Sequence, residues 1–197
     1  MPKIVDLDQK KAEIAHKALY AFAFEGYHKT SLAAIARMCH IGRTTIYEYF
    51  RNKDEIFSYA LSYSFGLLKT DLQQVRQEQG LTSLERITAI ARAILAIFYR
   101  DKRVLLVLVE HSLRILREDR EAAGWFRHRF RELQGMLEEL LREGVERGEL
   151  RKMNTRSMAR TISLLIEAAI LQFSVDSRTS LQTVSEGVEH LLRGLRA

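Results

Sequence analysis

Pro2 is the only proline among the 197 residues. Beyond it no ring removes a backbone donor or collides with a preceding turn, so helices can run unbroken wherever the side-chain pattern favours them. No stretch alternates convincingly with period two, whereas apolar residues recur at helical spacing along the chain. An all-α fold is the expectation. With 47% apolar and 28% charged residues, the chain has the balance of a globular protein with a real core.

The spacing predicts a first helix over residues 9–24, with Ile14, Ala15, Ala18, Leu19 and Phe22 on one side and Gly26 placed to end it. A short second helix starts at Thr30 or Ser31, either of which can accept a hydrogen bond from a first-turn amide, and carries Leu32, Ile35 and Ala36. A third short segment runs from Arg43 to Tyr49. Asn52 is a good N-cap for a long helix over Asp54 to Gln77, whose Asp54 and Glu55 favour the helix dipole. Further helical patterns cover Leu84 to Tyr99, Lys102 to Leu116, Ala122 to Arg147, Arg156 to Phe173 and Leu181 to Leu195. No repeat, low-complexity segment or linker separates them.

The formal net charge is +6. Residues 1–53 carry nine Lys and Arg (Lys3, Lys10, Lys11, Lys17, Lys29, Arg37, Arg43, Arg51, Lys53) against five acids (Asp6, Asp8, Glu13, Glu25, Glu48). Most of the excess therefore sits in the first quarter, which favours an anionic partner there. A single cysteine, Cys39, excludes an intramolecular disulfide and a multi-cysteine zinc site. No metal site and no cofactor is expected. The start of the chain does not resemble a signal peptide, and the apolar stretches at Val104 to Val109 and Ile162 to Phe173 fall short of the ~20 residues that span a bilayer. A cytoplasmic protein without a membrane segment is the expectation.

The first quarter holds a constellation with a mechanical meaning. A helix-turn-helix needs a small residue where two short helices approach, here Ala36, apolar residues to fill the corner, here Ile35, Cys39 and Ile41, and an anchor for the second helix, here Ile46. The surface then presented, Arg43, Thr44, Thr45, Tyr47 and Glu48, mixes base-reading and phosphate-binding types.

The run Phe24-Glu25-Gly26-Tyr27-His28-Lys29-Thr30-Ser31-Leu32, followed by Ile35-Ala36, resembles the opening signature of the TetR (tetracycline repressor) family. Ile41-Gly42-Arg43-Thr44-Thr45-Ile46-Tyr47-Glu48-Tyr49-Phe50-Arg51-Asn52-Lys53-Asp54-Glu55 is similar, in register, to that family's recognition helix and the start of its fourth helix. The resemblance covers about the first 57 residues. It implies a three-helix DNA-binding domain over residues 1–53 and a larger helical effector-binding and dimerisation domain over 54–197. It makes Thr30, Tyr47 and Lys53 phosphate contacts and puts Arg43, Thr44 and Thr45 near base edges, with Arg43 suited either to guanine or to a phosphate. Repression is the family's usual mode. Two departures stand out: Cys39-His40 where the family has Ala-Gly in the turn, and Gly42 where it has Ser or Thr, so a capping hydroxyl is missing.

In the remaining three quarters, Ile162, Leu165, Ile166, Ala169 and Phe173, with Val184, Val188 and Leu191, give broad apolar faces. They serve either the subunit's own core or, as the resemblance implies, a four-helix homodimer interface that would select a palindromic operator. Phe65, Phe98, Val109, Trp125, Phe126 and Phe130 supply surface for an effector cavity, with His111 as a polar group, and a hydrophobic or amphipathic small molecule is the expected ligand. Catalysis is not expected: Glu110-His111-Ser112 and Glu138-Glu139 are neighbours that do not face one another on a helix, and no phosphate loop or nucleophile elbow appears. The alternative reading is a helical adaptor that binds a protein and has lost DNA binding through the altered turn.

Overall fold

The computed structural model describes residues 7–100, 105, 107, 109, 113, 120–176 and 178–197, the side chains of 120–127 and 129 excepted. Eight helices run through the described residues and there is no strand among them: α1 (Leu7–Glu25), α2 (Leu32–Met38), α3 (Ile46–Tyr49), α4 (Lys53–Gln77), α5 (Ser83–Arg100), α6 (Arg120–Glu146), α7 (Thr155–Val175) and α8 (Leu181–Arg193). The helix expected over Lys102 to Leu116 lies mostly outside the described residues; Leu105, Val107, Val109 and Leu113 are helical. The chain divides into two compact units, Met1–Thr70 and Asp71–Ala197, with α4 crossing the division.

In the first unit α1 buries Ile14, Ala15, Ala18, Leu19 and Phe22, the face expected from spacing. Gly26 ends it with φ +89°, a conformation that side chains rarely adopt, and its amide bonds to Phe22 O at 3.0 Å. Ser31 Oγ accepts from Ala34 N at 3.2 Å and so caps α2. Asn52 Oδ1 accepts from Glu55 N at 2.8 Å at the start of α4, while Glu55 Oε2 accepts from Arg51 N at 2.6 Å.

The second unit packs α5 against α6, α7 and α8, and α6 against α7. α5 buries Leu84, Ile87, Ile90, Ala91, Ile94 and Leu95, and α6 contributes Leu137, Leu140 and Leu141. Thr82 and Glu85 form a reciprocal capping box at the start of α5, Glu85 Oε2 accepting from Thr82 N at 2.8 Å. The C-terminus is pinned by Arg151 N donating to Leu195 O at 3.1 Å and Ala197 N to Glu149 O at 3.2 Å.

α7 is 21 residues long with a mean hydropathy of 1.4, enough by length and composition to cross a membrane, with 28% of that apolar stretch buried. The Ile162 to Phe173 stretch was expected to be too short for this; the helix gains length because its ends extend to Thr155 and Val175. The structure places Ile162, Ile166, Phe173 and Val188 in the core of the second unit. Leu165 (39% exposed) and Leu191 (61%) face outward, beside Leu164, Leu171 and Val175, and Ala169 and Val184 are half-buried.

An ionic relay fixes α2 on α1. Glu13 accepts from Lys10 Nζ at 2.7 Å and Lys17 Nζ at 2.8 Å, and Lys17 also donates to Met38 O at 3.1 Å, at the C-terminal end of α2 where a cation is favoured. The two lysine hydrogen bonds lower the Glu13 carboxyl from 4.5 to about 2. A depressed folded-state value contributes stability above the ordinary carboxylate range, lost as pH falls towards about 2. Glu13→Gln should therefore lower the melting temperature at neutral pH, and the gap from wild type should close on acidification below about 4.5. A gap constant with pH would show that the relay does not hold the helices.

Candidate nucleic-acid interface

α3, with the turn before it, is seated by burial. Ile46 and Ile35 are fully buried, Ala36, Cys39 and Phe50 nearly so. The Cys39 thiol is pushed up by burial, as expected of a corner-filling group rather than a reactive one. Among the described residues no group of His, Cys, Asp or Glu is arranged to hold a metal ion.

The altered turn still forms. His40 takes φ +54°, Ile41 N donates to Ala36 O at 3.0 Å and His40 N to Arg37 O at 3.1 Å. That pair of bonds is the Schellman ending of a helix, with histidine in the left-handed position that glycine usually holds. Residues 43–45 form turns, and regular α-helix begins only at Ile46, preceded by Thr45 with no side-chain capping bond.

The presented surface borders a cleft of about 570 Å³ lined by residues 28–33, Arg43, Tyr47 and residues 51–54. The starts of α2 and α4 thus meet on one concavity, where first-turn amides and the helix dipole favour an anion. Lys29, Arg43 and Arg51 are exposed at its edge, and the Tyr47 side chain stands 53% exposed. Thr44 is exposed and Thr45 half-buried beside it. Lys29, Arg51, Ser31 and Asn52 escaped the residue-by-residue reading; their signal was the flanking of both motif halves by polar and basic residues.

Two of the expected contacts have structural duties as well. Lys53 Nζ donates to Tyr27 O at 2.7 Å and His28 O at 3.3 Å and lies 4.8 Å from the centre of the Tyr27 ring. Tyr27 in turn donates its hydroxyl to Asp54 Oδ1 at 2.6 Å. The start of α4 is thereby tied to the α1–α2 turn. Thr30 is 1% exposed, and its hydroxyl donates to Gly26 O at 2.9 Å and Ala21 O at 3.3 Å. The hydroxyl is spent on the turn rather than offered to a phosphate.

Of the residues expected around an effector, Phe98 and Val109 are half-buried in the second unit and Phe130 is 41% exposed on α6. Phe65 belongs to the first unit. His111 lies outside the described residues, as do the side chains of Trp125 and Phe126.

A fold and a site of this kind define a helix-turn-helix regulator, and comparison with known proteins agrees. Residues 12–60 match the family described as "Bacterial regulatory proteins, tetR family", and residues 80–194 match "Tetracyclin repressor-like, C-terminal domain". The chain belongs to the TetR family of transcriptional regulators. It is related to regulators of fatty acid metabolism. The fatty acid metabolism regulator protein of Bacillus subtilis (strain 168) is 27% identical over 191 residues, 93% of this chain and 93% of that protein. The HTH-type transcriptional regulator HbdR of Aromatoleum sp. (strain CIB) is 33% identical over 121 residues, 60% of this chain and 50% of that protein. Among solved structures, the fold is shared with Bacillus subtilis FadR in complex with stearoyl-CoA (TM-score 0.74, 22% identity, 91% of this chain and 96% of that one). A TetR regulator from Haloarcula marismortui superposes with a TM-score of 0.82 at 17% identity, covering 96% of this chain and 99% of that one.

The buried hydroxyl gives a sharp test. Thr30→Val keeps the shape but removes the hydroxyl bond to Gly26 O, which retains only the Thr30 amide, so it should cost about 0.5–1.5 kcal/mol of unfolding free energy. The affinity of the folded variant for DNA should stay unchanged. A loss of affinity without a change in salt dependence would instead mark the uncharged Thr30 hydroxyl as a phosphate contact.

Proposed function

We propose that this protein is a ligand-responsive repressor that acts in the cytoplasm, binds a palindromic operator as a homodimer, and is released by a fatty acyl-CoA. The observation that carries DNA binding is the cleft where the starts of α2 and α4, Arg43 and the exposed Tyr47 converge. In this reading Tyr47, the ammonium of Lys53 and the amides at the start of α4 hold phosphates, while Arg43, Thr44 and Thr45 face the major groove.

Dimerisation is supported by the apolar side chains that the subunit leaves outside its own core: Leu164, Leu165, Leu171 and Val175 on α7 and Leu191 on α8. Burial recovers roughly 25 cal/mol per Å² of apolar surface, so a second copy laid on this face turns an exposed liability into an interface. Two-fold symmetry then sets two recognition helices against two half-sites. The effector is argued from similarity over 93% of the chain to a fatty acid metabolism regulator and from the fold shared with a regulator crystallised with stearoyl-CoA. Such a ligand favours a subunit arrangement whose recognition helices no longer match the half-site spacing, a coupling that typically amounts to about 1–3 kcal/mol.

Selection from random duplex DNA should return a palindromic consensus. Tyr47→Ala and Arg43→Ala should weaken its binding without loss of stability. Leu165→Glu together with Leu191→Glu should give a folded monomer with sharply reduced operator affinity. A selected sequence without two-fold symmetry, or a double variant that stays dimeric and binds as wild type does, would refute the reading.

A further inference from the structure

An effector pocket needs a few placed polar groups as well as apolar lining. Among the described residues, four buried side-chain atoms lack a hydrogen-bond partner: Ser83 Oγ, Arg86 Nε, Ser163 Oγ and Glu167 Oε1. The first two sit at the start of α5 in a network that occupies their neighbouring atoms: Ser83 N donates to Glu149 Oε2 at 2.7 Å, and Arg86 Nη2 donates to Glu78 O at 3.1 Å. Ser163 is fully buried, Glu167 is half-buried with its Oε1 enclosed, and burial raises the Glu167 carboxyl.

Ser163 and Glu167 stand four residues apart on α7, and so on the same side of the helix one turn apart. They interrupt a helix face that otherwise buries Ala159, Ile162, Ile166 and Phe173. A carboxyl and a hydroxyl placed there without partners lower the stability of the free protein, which an apolar pair would not. A ligand that supplied the missing hydrogen bonds would recover that loss on binding. The character of such a ligand follows from the donors it must bring: an ionised carboxyl only accepts, and a hydroxyl accepts as readily as it donates.

We propose that Ser163 and Glu167 are the polar anchor of the effector site, and that they receive the amide N–H and hydroxyl groups of an acyl-thioester arm rather than the carboxylate of a free fatty acid. A fatty carboxylate would set a like charge beside Glu167 and brings no donor for its enclosed Oε1. This assignment rests on the acyl-CoA reading above, and it names two residues and a chemical preference that the reading does not contain.

Calorimetric titration of the full-length protein with palmitoyl-CoA and with palmitate tests it, using Ser163→Ala, Glu167→Leu and Glu167→Gln. Wild type should bind palmitoyl-CoA at least about tenfold more tightly than palmitate, and Ser163→Ala and Glu167→Leu should each weaken palmitoyl-CoA by about tenfold. Both should raise the melting temperature of the ligand-free protein, since each removes an unpaired buried group. Glu167→Gln should bind palmitate better than wild type does. Palmitate binding to wild type as tightly as the thioester, or palmitoyl-CoA binding Glu167→Leu with unchanged affinity, overturns the anchor and leaves the acyl-CoA reading standing. Wild type that binds no palmitoyl-CoA overturns both.

Discussion

A recognition helix of four regular residues cannot hold itself. Isolated helices below roughly a dozen residues are marginal in water, because the first turn fixes several torsions for a single hydrogen bond. α3 exists because Ile46 and Phe50 are buried with Ile35, Ala36 and Cys39, and because the chain on either side of it is clamped. Upstream, the Schellman bonds at His40 and Ile41 fix the direction in which the chain leaves α2. Downstream, the Lys53 ammonium on the Tyr27 and His28 carbonyls, with the Tyr27–Asp54 hydrogen bond, joins the start of α4 to the α1–α2 turn. The presented side chains owe their placement to those supports.

The same supports explain how the site tolerates its two departures from the family pattern. A left-handed non-glycine residue costs on the order of 1–2 kcal/mol, and His40 bears that strain in a turn over-determined by two main-chain bonds and a buried corner. Gly42 offers no capping side-chain oxygen, and its carbonyl accepts from Ile46 N at 3.3 Å at the start of α3. The apolar contacts made by Ile46 take over what a capping hydrogen bond would have supplied.

Much of this was legible in the sequence, and for identifiable reasons. The α1 face, the caps at Ser31 and Asn52, and the stop at Gly26 follow from local rules in which three or four residues decide the outcome. The duties of Thr30 and Lys53 were not legible, since they depend on carbonyls 4 to 26 residues away that no spacing rule brings to them. On α7 the apolar pattern was plain, but its division between core and surface was not: Ile162 and Ile166 point inward while Leu164 and Leu165, equally apolar, point outward. A helix apolar on most of its circumference carries no periodic signal to separate the two. Glu167 was the exception inside the Ile162 to Phe173 stretch, a half-buried carboxylate whose enclosed Oε1 only the packed helices reveal.

The most direct test of the account is hydrogen–deuterium exchange of the full-length protein with and without its selected operator duplex. If the clamped cleft is the DNA site, protection should appear in residues 28–33 and 43–54 and should be absent from the exposed outer surface of α6. Protection confined to α6, or none in either segment despite saturating duplex, would contradict it.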